Sequence, residues 1–250
     1  MRAYWTLTRR ELAMYFLSLS GYVVIAASVF LLGLSFVDLL TALQQESTMM
    51  PLTELFYGTL YFWLILLLTV PVITMRLFAL EKSSGTFETL MTAPVTEMQV
   101  VLSKFTAALV FYMVMWLPLL ACFAVVRYFS HDRTVLDPGV VGSTYLGILL
   151  LGGLFVSVGC CASALTRSQV IAAVASLAFS LGIFFLAWLA DGLPAETTWQ
   201  QQMLGTFSLF QYMHDFTRGV VDTRPIVLFV SLTFFFLFLT LRIVESRRWK

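Results

Sequence analysis

The segment EKSSGTFETLMTAPV, Glu81 to Val95, is polar, punctuated by Gly and Thr, and lies between two long apolar runs. The run before it, Leu55 to Met75, holds 21 residues without a charge, and the run after it, Phe105 to Val126, holds 22. A helix rises about 1.5 Å per residue, so about 20 residues cross a hydrocarbon core of about 30 Å. Neither run shows the period-two alternation of a barrel strand. The pair reads as a helical hairpin through a membrane, with Glu81–Val95 as its polar connection.

The rest of the chain agrees. Of 250 residues, 60% are hydrophobic and 12% charged, and the mean hydropathy is +0.89. Soluble domains average about 25% charged residues, so a water-soluble globule is excluded. Further uncharged runs cover Leu12–Val37, Val140–Thr166, Ser168–Ala190 and Ile226–Leu241, the last lengthened by snorkelling of Arg242. Leu12–Val37 is too long for a signal-peptide core and splits at Ser20-Gly21, giving a first span over 21–43. Residues 2–19 read as an amphipathic helix lying in the membrane interface, with Trp5, Thr8, Leu12, Tyr15, Phe16 and Leu19 on one face. The expected fold is all-α: six transmembrane helices, an N-terminal interfacial helix and a short cytoplasmic helix between spans two and three. Residues 1–250 form one membrane domain.

Lysine and arginine set the orientation. Eleven of them fall on the side of the termini and four (Arg127, Arg133, Arg218 and Arg224) on the other. Both termini of this multi-pass protein are expected in the cytoplasm. The outer loop 191–224 carries Phe207, Phe210, Met213 or His214, Thr217 and Val220 at helical spacing. It reads as short helices ending at Gly219, either dipping into the outer leaflet or lying as a lid on the span ends.

No phosphate-cradling loop, dinucleotide fingerprint or hydrolase motif occurs. The span interiors lack the carboxylates and histidines that an ion-coupled carrier needs. Cys122, Cys160 and Cys161 read as reduced packing residues. His131 and His214 read as surface residues without metal-ligand spacing. The expectation is therefore no catalytic residue, no metal and no nucleic acid, with energy entering from another chain.

Within the opening segment, Glu81 and Lys82 read as solvated. Ser83 to Thr86 reads as a turn, with Gly85 supplying unusual backbone angles. Thr86 is a candidate N-cap for a helix starting at Phe87, with Glu88 in its first turn. Phe87, Leu90 and Met91 share a face, and Pro94 stops the helix. On the residues alone, this is either an amphipathic connector or a docking element.

The pattern E-K-x-x-G-T-x-E-x-L-x-x-x-P-V, followed by Lys104, resembles the cytoplasmic loop of type 2 ABC exporter permeases, and looks most like the gliding-motility-type (Gld) members. Arg10-Glu11, the six-span plan, Gly219–Asp222 and the terminal Glu245–Trp249 fit the same family. The resemblance implies a transmembrane subunit that exports a substrate. It implies two copies of a separate ABC ATPase, which bind ATP and magnesium, so that this chain needs no cofactor. It implies a second permease chain, identical or paralogous. Segment 79–99 would be the coupling segment, with Glu81, Lys82, Gly85, Thr86, Phe87, Glu88, Leu90 and Pro94 meeting the ATPase. A rival within the same resemblance is a membrane anchor that passes ATPase motion to a periplasmic accessory or surface machine without moving cargo.

Gly153, Ser157 and Cys161 in span four stand at i, i+4 and i+8, as do Ala172, Ser176 and Ser180 in span five. Such stripes permit close helix contact. They read as packing of spans four and five across the Arg167 hairpin, or as a dimer seam or pathway. An apolar seam suits a lipid-like or hydrophobic cargo, with membrane lipid as the surrounding partner.

Overall fold

The computed structural model describes residues 2–45, 52–86, 95–130, 137–191 and 208–246. Among the described residues the fold is all-helical, with six helices long and apolar enough to cross a membrane. Helix α1 (Arg2–Phe16) turns at Leu17-Ser18 into α2 (Leu19–Gln45), the first span. A short α3 (Leu52–Tyr57) precedes α4 (Leu60–Thr74), which continues through a distorted turn into α5 (Ala79–Ser84). Span three is α6 (Glu97–Met115) followed by α7 (Leu117–Ser130). Spans four and five are α8 (Pro138–Leu165) and α9 (Gln169–Asp191). A short α10 (Leu209–Thr217) leads to span six, α11 (Thr223–Ser246).

Helix α8 is the axis of the bundle. It touches α4, α6, α9, α10 and α11, and it is buried along most of its length. Its small residues explain this position. A Cβ on Gly152 would lie 2.1 Å from the Tyr112 ring, and one on Gly159 would lie 2.2 Å from Thr74 Oγ1. Lipid tails are as apolar as the side chains of the spans, so close packing of this kind replaces the hydrophobic force of soluble cores.

Two boundaries differ from the sequence reading. Span two does not begin at Leu55. Thr59 adopts an extended conformation (φ −76°, ψ 145°), which separates α3 from α4. At its other end the span does not stop at Met75 but continues, through a turn at 75–78, into the helix that ends at Ser84. As the residues after Pro94 indicate, the helix of span three begins at Glu97 and runs through Lys104 into the apolar run; Thr96 forms a capping box with Gln99 at its start, and Lys104 is accommodated inside. The break at Trp116 precedes Pro118, which has no N–H to donate to a continuing ladder.

The small-residue stripes also find partners. Spans four and five do pack together, but the Gly153 face looks toward Thr233 of span six. Ser176 reaches Thr74 of span two, Oγ to Oγ1 3.4 Å. Ala172, Ser157 and Ser180 are buried within the chain, and Cys161 is buried beside them.

The close approaches at α8 yield a stability test. Gly152→Ala and Gly159→Ala are each expected to destabilise by about 1–3 kcal/mol through overpacking. Gly142→Ala, where a Cβ meets nothing within 4 Å, is expected to be neutral or mildly stabilising. Thermal unfolding in detergent measures all three.

Candidate functional site

The break in span two creates an unusual local demand. Residues 75–78 leave the helix, so the amides that open α5 lose their partners in the preceding turn. Ser163 of α8 supplies the replacement. Its Oγ accepts from the N–H groups of Phe78 (3.1 Å) and Ala79 (3.2 Å) and lies 3.2 Å from the carbonyl of Met75. One turn later Lys82 donates to the carbonyl of Ala164, at the C-terminal end of α8, where the helix dipole favours a cation. Tyr15 of α1 donates to the carbonyl of Ile73 at 2.8 Å. Burial pushes its phenol well above the ordinary range, so it remains a neutral donor.

These contacts fix α5 so that Glu81 points inward. Lys104 on α6 meets it there. The Lys104 ammonium is 1% exposed and lies 2.9 Å from Glu81 Oε1 and 2.9 Å from Glu11 Oε1. Arg10 reaches Glu81 Oε1 at 3.1 Å from the outer side. The Phe78 ring closes the site, its centroid 5.5 Å from Lys104 Nζ. Three helices, α1, α5 and α6, thus meet at two carboxylates and two cations. Glu81 Oε2 is buried without a hydrogen-bond partner.

The structure corrects the expectation that Glu81 and Lys82 are solvated: they are 6% and 9% exposed. Their partners lie on other helices: Glu81 pairs with Lys104 and Arg10, and Lys82 donates to the Ala164 carbonyl. It also redraws the face of α1. Trp5 and Leu19 are exposed, whereas Thr8, Glu11 and Tyr15 face inward. Tyr15 stacks on Phe111 (centroids 4.9 Å), and Tyr4 donates to Thr106 Oγ1 at 3.0 Å. Glu11 was missed as a site residue. Its position on the inward stripe, three after Thr8 and four before Tyr15, was the available signal. Ser83 and Ser84, read from the sequence as part of a turn, are the last residues of α5, and Gly85 ends it at φ +75°, an unusual backbone angle of the kind expected there. Thr86 pairs with Ser84, Oγ1 to Oγ 2.9 Å. Phe87, Glu88, Leu90 and Pro94 lie outside the described residues.

A second polar cluster holds the opposite end of the bundle. Glu54 of α3 takes a bidentate pair from Arg218, Nε to Oε2 3.0 Å and Nη2 to Oε1 2.7 Å. His214 Nε2 is 2.9 Å from Glu54 Oε1, so His214 is a partner in this clasp rather than a free surface residue. Hydrogen bonding from Arg218 holds the Glu54 carboxyl below its ordinary value. Around it, Thr53 donates to the carbonyl of Thr217, Tyr57 to that of Phe210 and Ser143 to that of Phe216. Helix α10 buries Leu209, Met213, Phe216 and Thr217 and is ended by Gly219 at φ +87°. The periodicity of the sequence located this helix, though Val220 is exposed and Phe207 lies outside the described residues.

A family model described as ABC-2 family transporter protein matches residues 8–187. The chain belongs to the ABC-2 transporter family. The match spans Glu11, Glu81 and Lys104, and ends before the Arg218 clasp. No curated protein matches the chain. Membership makes this a multi-pass permease subunit, of a kind that is typically non-catalytic and associates with ABC ATPase subunits. It lends no support to a gliding-motility-type subgroup.

Two outcomes test the permease's polar clusters. Lys104→Met leaves two buried carboxylates facing each other and is expected to cost about 3–5 kcal/mol, with Glu11→Gln recovering part of the loss in a double-mutant cycle of melting curves. For Glu54, the folded pKa lies below the ordinary 4.5. Its contribution to stability is fully present above that value and is lost as pH falls through the lowered one. Wild-type melting temperature is expected to drop over that acid range, and Glu54→Gln to flatten the drop.

Proposed function

We propose that this chain is the permease of an ATP-driven exporter and that the Glu11–Glu81–Lys104 cluster transmits motion from the ATPase to the spans. It would sit in a bacterial cytoplasmic membrane with both termini in the cytoplasm. Two permease chains, identical or paralogous, and two ATPases would form the working unit, with ATP and magnesium held by the ATPases. The observation that carries this reading is Lys104, which ties α1, the end of span two and the start of span three into a single joint.

The division of labour follows from burial. Glu81 and Lys82 are turned inward and hold the joint. Gly85 and Thr86 lead out of it into the coupling segment, where Phe87 and Leu90 would pack on the ATPase, Glu88 would supply a polar contact, and Pro94 would end the helix. A push on that segment reaches α5 directly. Because α5 is pinned to α8 through Ser163 and to α1 and α6 through Lys104, the push is delivered to several elements as a rigid-body shift. A lipid-like or hydrophobic cargo fits spans of this high hydropathy.

The test is reconstitution with the cognate ABC ATPase. Phe87→Glu and Leu90→Glu are expected to abolish co-purification. Glu81→Gln, which leaves Lys104 its pairing with Glu11, is expected to leave assembly intact and to lower permease-dependent ATP turnover about tenfold. Wild-type turnover from an assembled Glu81→Gln complex would overturn the coupling role, and failure of any ABC ATPase to bind the wild-type chain would overturn the exporter reading.

A further inference from the structure

We propose that Ser163 is a latch on span two, whose release lets residues 75–78 close into helix and passes Glu81 from Lys104 to Arg167. The use of this switch in coupling rests on the exporter reading above; the switch itself belongs to the permease chain alone.

The break at 75–78 has no local cause. Met-Arg-Leu-Phe contains neither glycine nor proline, and Met, Arg and Leu favour helix. Pro71 acts on the turn before it, and Met75 still donates to the Pro71 carbonyl at 2.9 Å. Met75 (φ −55°, ψ −29°) and Phe78 (φ −118°, ψ −35°) stay in the right-handed region. What interrupts the ladder is a side chain from another helix. In a continuous helix the Ala79 N–H would donate to the Met75 carbonyl. The Ser163 hydroxyl stands between them. It accepts from Ala79 at 3.2 Å and from Phe78 at 3.1 Å, and donates to the Met75 carbonyl at 3.2 Å. A hydroxyl has one donor and two acceptor sites, and all three are in use. Withdraw it, and both amides find helical carbonyls four residues back.

Closing the helix changes where Glu81 points. Glu81 follows Thr74 by seven residues, close to two full turns, so in a continuous helix the two share a face. Thr74 packs on Gly159 of α8 and meets Ser176 of α9. That face looks to α8 and α9 rather than to Lys104. Spans two and four run in the same direction, and seven residues beyond Gly159 stands Thr166, next to Arg167. Arg167 is exposed in the hairpin between α8 and α9, and α5 already touches both helices. Among the described residues it forms no ion pair. Glu81 is incompletely served where it is, since its Oε2 is buried without a hydrogen-bond partner. Arg167 offers it a charge-assisted contact in exchange. Latched, α5 moves with α1, α6 and α8; unlatched, it has left Lys104, and a push stops short of α1 and α6.

Spin labels on Ser83→Cys of α5 and Met98→Cys of α6 report the switch as an inter-label distance, by double electron–electron resonance on the full chain in lipid nanodiscs. Both positions are exposed, and Cys122→Ser removes the more accessible native thiol, Cys160 and Cys161 being buried. The chain with Ser163 intact is expected to give one latched distance. Ser163→Ala is expected to shift it by about 5 Å, half a helix diameter, and Arg167→Gln added to Ser163→Ala to reverse most of the shift. Arg10→Gln removes a half-exposed partner of Glu81 and spares the latch. It is expected to populate the second distance, and it decides the matter if Ser163→Ala fails to fold. An unchanged distance in folded Ser163→Ala, or in Arg10→Gln where that variant does not fold, would overturn the latch. A shift that survives Arg167→Gln would overturn the exchange of partners. No ATPase is present, so a permease that binds none leaves these outcomes untouched.

Discussion

Lys104 is 1% exposed, and a cation so buried is costly unless carboxylates are brought to it. Removing such an ion from water costs several kcal/mol even after relaxation. Lys104 is answered by Glu11 from one helix and Glu81 from another, each at 2.9 Å. The seat of α1 against α6 and the inward turn of α5 are thus two parts of one electrostatic solution. The distorted turn before α5 is what lets Glu81 reach the site, and Ser163 makes that turn tolerable by taking up its amides.

Charge governs the two ends of the bundle and shape governs its middle. At one end lies the Lys104 cluster, and at the other Glu54 gathers Arg218 and His214. Between them, Tyr112 fills the space left by Gly152, and Thr74 fills that left by Gly159. Glycine-for-ring complementarity gives a fixed register along α8 without placing unpaired polar groups at every contact. The aromatic residues Phe56, Phe62, Trp63, Trp116, Phe184 and Phe210 extend the same steric logic toward the Glu54 end through mostly edge-on contacts.

Six spans were legible because the cost of burying a segment in hydrocarbon depends on its composition and length alone. The ends of span two were not, because a charge neutralised by a distant partner has the same sequence signature as a charge in water. Glu81 and Lys82 illustrate this: what buries them is Lys104, Ala164 and the fold of α1, none of which is local. Helix α10 could be read from its own periodicity, with Gly219 as its stop. Its tie to Glu54 could not. The small-residue stripes announced close contacts without naming the partners, since Gly153 suits a neighbour in span six as well as one in span five.

The Lys104 joint also sets an order of assembly. Glu11 precedes Lys104 by 93 positions, and Glu54 precedes Arg218 by 164. A ribosome delivers the chain from its N-terminus. Until the third span emerges, Glu11 has no lysine to receive it, and α1 is held only to span two, through Tyr15 and Arg10. The opposite clasp closes only after the fifth span has left the ribosome. Synthesis therefore shuts the molecule in two stages, the base before the top, and the nascent chain passes through a state in which one end is locked and the other still open.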